Sequence, residues 1–150
     1  MPALAPLAIQ SIGVRAGRRS ARLRQERESI VIKVSAEPER KRVRAIMGGL
    51  LTVADVERFS AEEQAAVREM GLGSGEFDLL VETLSNVVQT LEVMEAFAKL
   101  LGDSPLKARK IATVRHGALT RMQSRRLAHV RSNYEVFGSV EEAEAWLREP

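Results

Sequence analysis

The chain contains no cysteine, which excludes disulfides, thiolate metal sites and cysteine nucleophiles. This composition is typical of a protein from a reducing compartment, so a cytoplasmic location is predicted. Histidine occurs only at His116 and His129, which excludes a histidine-rich metal centre and restricts any Ser-His-Asp triad to one of these two. No apolar run approaches the roughly 20 residues that a membrane helix needs, so no membrane span is predicted.

Motifs for catalysis are also missing. The sequence has neither the Gly-x-x-x-x-Gly-Lys-Ser/Thr phosphate loop nor the Gly-x-Ser-x-Gly nucleophile elbow. The glycine-rich segment Gly71–Gly75 precedes a predicted strand and opens no helix, so it is interpreted as a connection. The carboxylate pairs Glu62–Glu63 and Glu141–Glu142 are predicted to lie on helix surfaces. The sequence therefore predicts a protein that is not an enzyme, with no catalytic residue, metal or cofactor.

Positive charge is concentrated near the N-terminus. Residues 1–29 hold six arginines and two glutamates, which gives this segment a formal charge of +4. Because the whole chain has a formal net charge of +3, the remaining residues carry −1. We predict a flexible basic arm over residues 1–28 and one folded domain over residues 29–150. Such an arm is suited to nucleic acid or an acidic membrane surface. The alternative, a solvated tail, is favoured because no aromatic residue interleaves the arginines, so nucleic-acid binding is not expected.

The hydrophobic pattern alternates between strand and helix periods. Of the 150 residues, 45% are hydrophobic, which suits a single domain with an ordinary core. Short β-branched or continuously apolar segments predict strands at Ser29–Ser35, Arg42–Met47, Phe77–Val81, Lys110–Val114 and Tyr134–Phe137. The first two are predicted to form an edge hairpin. The order ββαβαβαβα indicates an α/β fold with a mixed, mostly parallel sheet flanked by about four helices.

Four helices are predicted from capping residues and apolar stripes. They begin near Thr52, Thr90, Gly117 and Ser139. The predicted core contacts of the third helix, which extends to about Val130, are Leu119, Met122, Leu127 and Val130.

The third helix also carries a basic cluster, Arg115, His116, Arg121, Arg125, Arg126, His129 and Arg131. Arg121 and Arg125 are four residues apart and share a helix face. The cluster follows a predicted parallel strand, where open α/β sheets usually bind ligands. Arg121, Arg125 and His129 are therefore a candidate patch for an anion or an acidic partner. The alternative is a solvated basic face whose arginine stems cover the core.

Several segments resemble, in order and spacing, bacterial STAS/SpoIIAA-like proteins over roughly residues 29–148. A short strand followed by Ala-Trp-Leu is the most telling of them. The segments are Gly49–Phe59, Phe77–Glu82, Val88–Val93, Ala108–Val114, Leu119–Arg126 and Val136–Leu147.

This resemblance implies a small regulatory domain that binds a protein partner. Among the relatives, anti-sigma-factor antagonists bind a kinase-type anti-sigma factor and are switched by phosphorylation of a Ser or Thr where a helix follows the central strand. Here Thr90 matches that position best, with Ser85 in the loop before it, although the Asp-Ser-Ser-Gly-like motif is absent. A plain helix cap is the alternative role for Thr90. The implied partner contacts are Asn86, Gln89 and Glu92.

A second function follows from the SEC14-like branch of the same resemblance. It implies a pocket for a small apolar or lipid-like ligand, lined by Phe59, Met70, Met94 and Phe97. Ordinary core packing is the alternative role for these side chains. Edge strands of such sheets also favour pairing, so a homodimer is a further prediction.

Overall fold

The computed structural model describes residues 30–84 and 86–150, so the predicted basic arm over residues 1–28 lies outside the described residues. The elements follow the predicted order ββαβαβαβα. Two short 3-10 turns accompany them, at Pro38–Arg40 and Arg126–His129. The strands and helices are β1 Val31–Glu37, β2 Arg42–Gly48, α1 Val53–Glu69, β3 Asp78–Thr83, α2 Leu91–Asp103, β4 Lys110–Val114, α3 Ala118–Arg125, β5 Tyr134–Phe137 and α4 Val140–Arg148.

The five strands form one sheet in the order β1-β2-β3-β4-β5. β1 pairs antiparallel with β2, and the three remaining pairs are parallel. The prediction of a mixed, mostly parallel sheet with an antiparallel edge hairpin is confirmed. Since β2 to β5 run in the same direction, their carboxyl ends lie at one edge of the sheet, here called the carboxyl edge.

Side-chain caps fix where the helices begin. Thr52 and Asp55 form a capping box, in which Asp55 N donates to Thr52 Oγ1 at 3.3 Å and Thr52 N donates to Asp55 Oδ2 at 2.8 Å. Ser139 caps α4 by accepting a hydrogen bond from Glu142 N at 3.2 Å. Gly117 is the N-cap of α3, and its φ of 89° is a left-handed value that glycine adopts without strain.

The two faces of the sheet are covered differently. α4 packs against β3, β4 and β5 on one face, where Leu80, Ala112 and Val114 are fully buried. α1 covers β1 and β2 on the other face, whereas α2 packs mainly against α1. None of the described helices is long and apolar enough to span a membrane.

The prediction of which face of the third helix contacts the core is wrong. Leu119, Met122 and Val130 are 68%, 54% and 40% exposed, and only Leu127 of the four predicted contacts is buried. α3 instead buries Thr120 and Ser124, which lie four residues apart and in line with Leu127. Both buried side chains have local partners, since Thr120 Oγ1 donates to Gly117 O at 3.1 Å and Ser124 Oγ accepts from Arg115. Small hydrogen-bonded side chains let this helix approach the sheet closely, and the larger apolar ones point outward.

Glu63 is the second departure from the predicted surface. It is only 5% exposed, on the buried side of α1, and accepts a hydrogen bond from Gln64 Nε2 at 2.7 Å. Burial raises the pKa of this carboxyl group, and the hydrogen bond from Gln64 and the charge of Arg131 offset the rise only in part. Glu62, Glu141 and Glu142 are exposed as predicted.

Candidate functional site

The loop between β3 and α2 is joined to α3 at the carboxyl edge. Gln89 N donates to Gln123 Oε1 at 2.9 Å, and Gln123 Nε2 donates back to Gln89 O at 2.8 Å. Asn86 lies beside the start of the same helix, since a Cβ at Gly117 would be 3.5 Å from its amide oxygen. These contacts make the loop and α3 parts of one surface, although the sequence placed them in separate candidate sites.

Gln89 has a structural role within that surface. Its side chain is 8% exposed, accepts a hydrogen bond from Leu51 N at 2.9 Å and donates to Gly49 O at 3.0 Å. The side chain therefore holds the connection between β2 and α1 and is not presented to a partner. This differs from the predicted contact role, because the sequence does not show that the loop folds over that connection.

Thr90 is exposed and caps α2, accepting a hydrogen bond from Val93 N at 3.2 Å. The two predicted roles, cap and phosphate acceptor, are compatible, since a capping hydroxyl at an exposed helix start is reachable by another protein. Asn86 and Glu92 are also exposed. Ser85 lies outside the described residues.

Large apolar side chains are exposed on both parts of this surface. Five of them, called here the apolar set, come from the loop with the start of α2 and from α3. Their exposed fractions are Leu84 58%, Val88 49%, Leu91 73%, Leu119 68% and Met122 54%. Isolated exposed apolar residues are ordinary, and several on linked segments make this surface a candidate for an interaction. Sequence reasoning assigned Leu119 and Met122 to the core, and Thr120 and Ser124 were the signal for the opposite orientation.

The predicted basic patch divides into two parts. Arg121 folds back onto the sheet edge, where its Nε donates to Arg115 O at 3.1 Å. Its guanidinium fills the space above Gly138, where a Cβ would lie 1.8 Å from Nη2. Arg125 and His129 are exposed, and the segment 118–129 contains no acidic residue. The exposed guanidinium groups on the α3 side of the apolar set are therefore those of Arg125 and Arg126, and the imidazole of His129 is exposed as well.

A cavity of about 60 Å³ lies between α2 and the sheet. It exists because α2 packs mainly against α1 and leaves space above β3 and β4. Phe59, Met94 and Phe97 line it, as predicted for an apolar ligand pocket. Met70, the fourth predicted lining residue, packs against the core and is not part of the lining.

Arg115 lines the same cavity and is only 8% exposed. Its Nε donates to Ser124 Oγ at 2.7 Å, and its backbone N donates to Phe137 O at 2.9 Å. Burial lowers the pKa of this guanidinium. Burial also raises the pKa of Tyr134, so its hydroxyl stays protonated. The sequence placed Arg115 only within a basic cluster, because its burial depends on contacts that are distant in the chain.

Comparison with known proteins identifies the fold. A SpoIIAA-like protein of the DUF3478 family from Shewanella loihica PV-4, described as uncharacterized, superposes with a TM-score of 0.58 at 18% identity, over 79% of this chain and 94% of the other. An anti-sigma factor antagonist from Mycobacterium paratuberculosis gives a TM-score of 0.53 at 16% identity, over 81% and 96%. The predicted SpoIIAA-like fold is thereby confirmed. No family model and no curated protein matches the sequence.

Proposed function

We propose that this chain is a non-enzymatic cytoplasmic regulatory domain that binds a protein partner through the apolar set. The main supporting observation is that five large apolar side chains are exposed on a loop and a helix, which are joined by hydrogen bonds. Leaving them in water costs free energy that a partner would recover by covering them. An anti-sigma factor antagonist shares this fold, which supports a partner-binding role.

The charges on the α3 side of the apolar set indicate the chemistry of the partner. Arg125, Arg126 and His129 are exposed, and no acidic residue lies between 118 and 129. An apolar ridge flanked by Asp or Glu would complement this surface, because rim charges steer association and exclude like-charged partners. The partner is therefore a protein with acidic side chains around an apolar contact.

A capture experiment with matched variants tests this proposal. The full-length protein is used to isolate partners, and each is then titrated in purified form against wild type, Leu119→Asp, Arg125→Glu and Arg148→Glu. Leu119→Asp should weaken binding at least about tenfold, because a charge would be placed in the apolar contact. Arg125→Glu should weaken binding mainly through slower association.

Arg148→Glu is the control, since Arg148 is exposed on α4 and lies near Asp78 and Arg109, at the end of the sheet where β3 begins. It reverses the same charge and should leave the affinity unchanged. If Leu119→Asp and Arg125→Glu bind the purified partner as wild type does, the apolar set is not the contact. If all three variants lose binding equally, charge alone explains the interaction and the proposal fails.

Thr90 is proposed as the acceptor of a regulatory phosphate at this surface. A phosphate there would lie at the N-terminus of α2, next to Leu91 and Val88, and would repel an acidic partner. Thr90→Asp and Thr90→Asn form a matched pair, because both residues cap helices well and only one adds charge. Thr90→Asp should bind the partner at least about tenfold more weakly than Thr90→Asn. Equal binding by the two would remove Thr90 as a switch, and Ser85→Glu then tests the second acceptor.

A further inference from the structure

We propose that Arg115 binds the carboxylate of a small apolar acid inside the cavity between α2 and the sheet. This site is separate from the apolar set and does not depend on the proposed protein partner. The cavity was predicted to accept a small apolar ligand, and Arg115 adds a charge requirement to that ligand.

The guanidinium of Arg115 is buried without an ionic partner. Its Nε donates a hydrogen bond to Ser124 Oγ. Its two terminal nitrogens have no hydrogen bond and no ion pair with a carboxylate within residues 30–84 and 86–150. In the same described residues, no fully inaccessible side-chain nitrogen or oxygen lacks a hydrogen bond. The terminal nitrogens of Arg115 must therefore border accessible space, and the cavity is the space that this residue lines.

A buried cation without a counter-ion is costly. Guanidinium groups remain charged in proteins, and removing such a charge from water costs several kcal/mol unless an anion or several acceptors compensate. Two other arginines that are buried or half-buried, Arg42 and Arg109, have such compensation. Arg42 pairs with Glu37 and Glu144, and Arg109 pairs with Asp78. Arg115 is left with one hydroxyl oxygen, so an anion entering the cavity would supply the missing acceptors.

The other residues that line the cavity indicate the chemical class of the ligand. Leu79, Val81 and Ile111 of the sheet and Met94 and Phe97 of α2 surround the space. The hydroxyl-bearing residues Thr113, Ser124 and Tyr134 lie at the same cavity as Arg115. An apolar wall with one cation at its polar end fits a molecule that has a hydrocarbon body and a single acidic group.

The volume of the cavity limits the length of the ligand's hydrocarbon chain. A water needs about 10–15 Å³ of such a volume, so the 60 Å³ cavity has room for about four to six waters or for about five to eight non-hydrogen atoms. A carboxylate suits this site better than a phosphate group. It accepts two hydrogen bonds from one guanidinium, whereas a phosphate dianion needs several cationic or amide donors. A short monocarboxylic acid is therefore the expected ligand class.

Titration with hexanoate, followed by NMR of the isotope-labelled full-length protein, tests the assignment. Two probes are run beside it: 1-hexanol, which keeps the hydrocarbon body without the charge, and acetate, which keeps the charge without the body. Hexanoate should saturate and shift the amides of residues at the cavity, such as Thr113 and Ser124, and should bind at least about tenfold more tightly than either control probe. Hexanol binding as tightly as hexanoate, or hexanoate shifts confined to exposed residues, would overturn the proposal.

Variants then assign the charge to Arg115. Arg115→Met keeps an unbranched apolar stem and removes the cation, and it should weaken hexanoate binding at least about 30-fold while leaving hexanol binding unchanged. Arg125→Met is the matched control, since Arg125 is exposed on α3 and should retain wild-type affinity. Arg115→Lys keeps a charge without the planar fork, and intermediate affinity is expected. Hexanoate binding that is equal in wild type and Arg115→Met would falsify the assignment.

Discussion

The two faces of β3 and β4 are built from alternating residues of the same strands, yet they are packed in different ways. Leu80, Ala112 and Val114 point toward α4 and are fully buried. Leu79, Thr113 and Arg115 point the other way and line the cavity. One face is thus a closed apolar layer, and the other combines apolar walls with buried hydroxyls and a cation.

This contrast suggests that one face of the sheet serves mainly the stability of the fold and the other mainly binding. A closely packed apolar layer stabilises the fold because each methylene group is removed from water and meets neighbouring atoms. A cavity with an unpaired guanidinium stabilises the fold less, and a buried ionisable group that borders a cavity is often part of a functional site. We therefore expect substitutions on the α4 face to change mainly stability and those on the cavity face to change mainly binding.

The largest expected difference is between Leu80→Ala and Leu79→Ala. These leucines are neighbours on β3 and have exposed fractions of 0% and 5%. Leu80→Ala should lower the free energy of unfolding by about 4 kcal/mol, near the upper end for such truncations, because the closed layer cannot refill the space. Leu79→Ala should lower it by about 2 kcal/mol, since Leu79 borders the cavity and that side of its side chain already lacks neighbouring atoms. Denaturant titration measures both values, and equal losses would show that the faces are equally well packed.

A smaller effect of opposite sign is expected for Arg115→Met in the absence of ligand. Replacing a buried charge with an unbranched apolar side chain should raise the free energy of unfolding by about 1 kcal/mol. Arg125→Met, at an exposed position of α3, should change it by less than about 0.5 kcal/mol. Thermal and denaturant unfolding of the wild type, Arg115→Met and Arg125→Met measures these differences in the free energy of unfolding. A clear loss of stability in Arg115→Met would mean that Arg115 serves the fold, through Ser124, rather than a ligand.

The smallest effect concerns Glu63, the buried carboxyl group of α1, and it depends on pH. Its folded-state pKa is raised by burial, so the folded state holds this proton more tightly than the unfolded state does. Stability should therefore fall as pH rises from the ordinary carboxyl pKa to the raised value, and the loss persists at neutral pH. Glu63→Gln should remove that loss and be more stable at pH 7 by up to about 1 kcal/mol.

The control for this prediction is Glu62→Gln, at the exposed neighbouring position. It should leave the free energy of unfolding nearly unchanged at every pH. Below the ordinary carboxyl pKa the advantage of Glu63→Gln should vanish, because both states of the wild type are then protonated. A constant difference between Glu63→Gln and wild type from acid to neutral pH would contradict the assigned cause.

The sequence alone determined the order of the elements, the positions of the strands and the caps at Thr52, Thr90 and Ser139. These features are local, since hydrophobic period and capping residues act over a few neighbouring residues. The candidate loop before α2 was also found from the sequence, through its place after the central strand.

Only the tertiary structure decided which side of α3 faces the sheet, that Gln89 is enclosed, and that Arg115 borders a cavity. For α3, the periodic pattern of Leu119 and Met122 predicted burial, but the sheet accepts Thr120 and Ser124 instead, and an exposed apolar set results. For the cavity, the determining quantity is how far α2 stands from β3 and β4. That distance is set by packing between α1 and α2, which are separated by more than twenty residues of chain, and no local pattern records it.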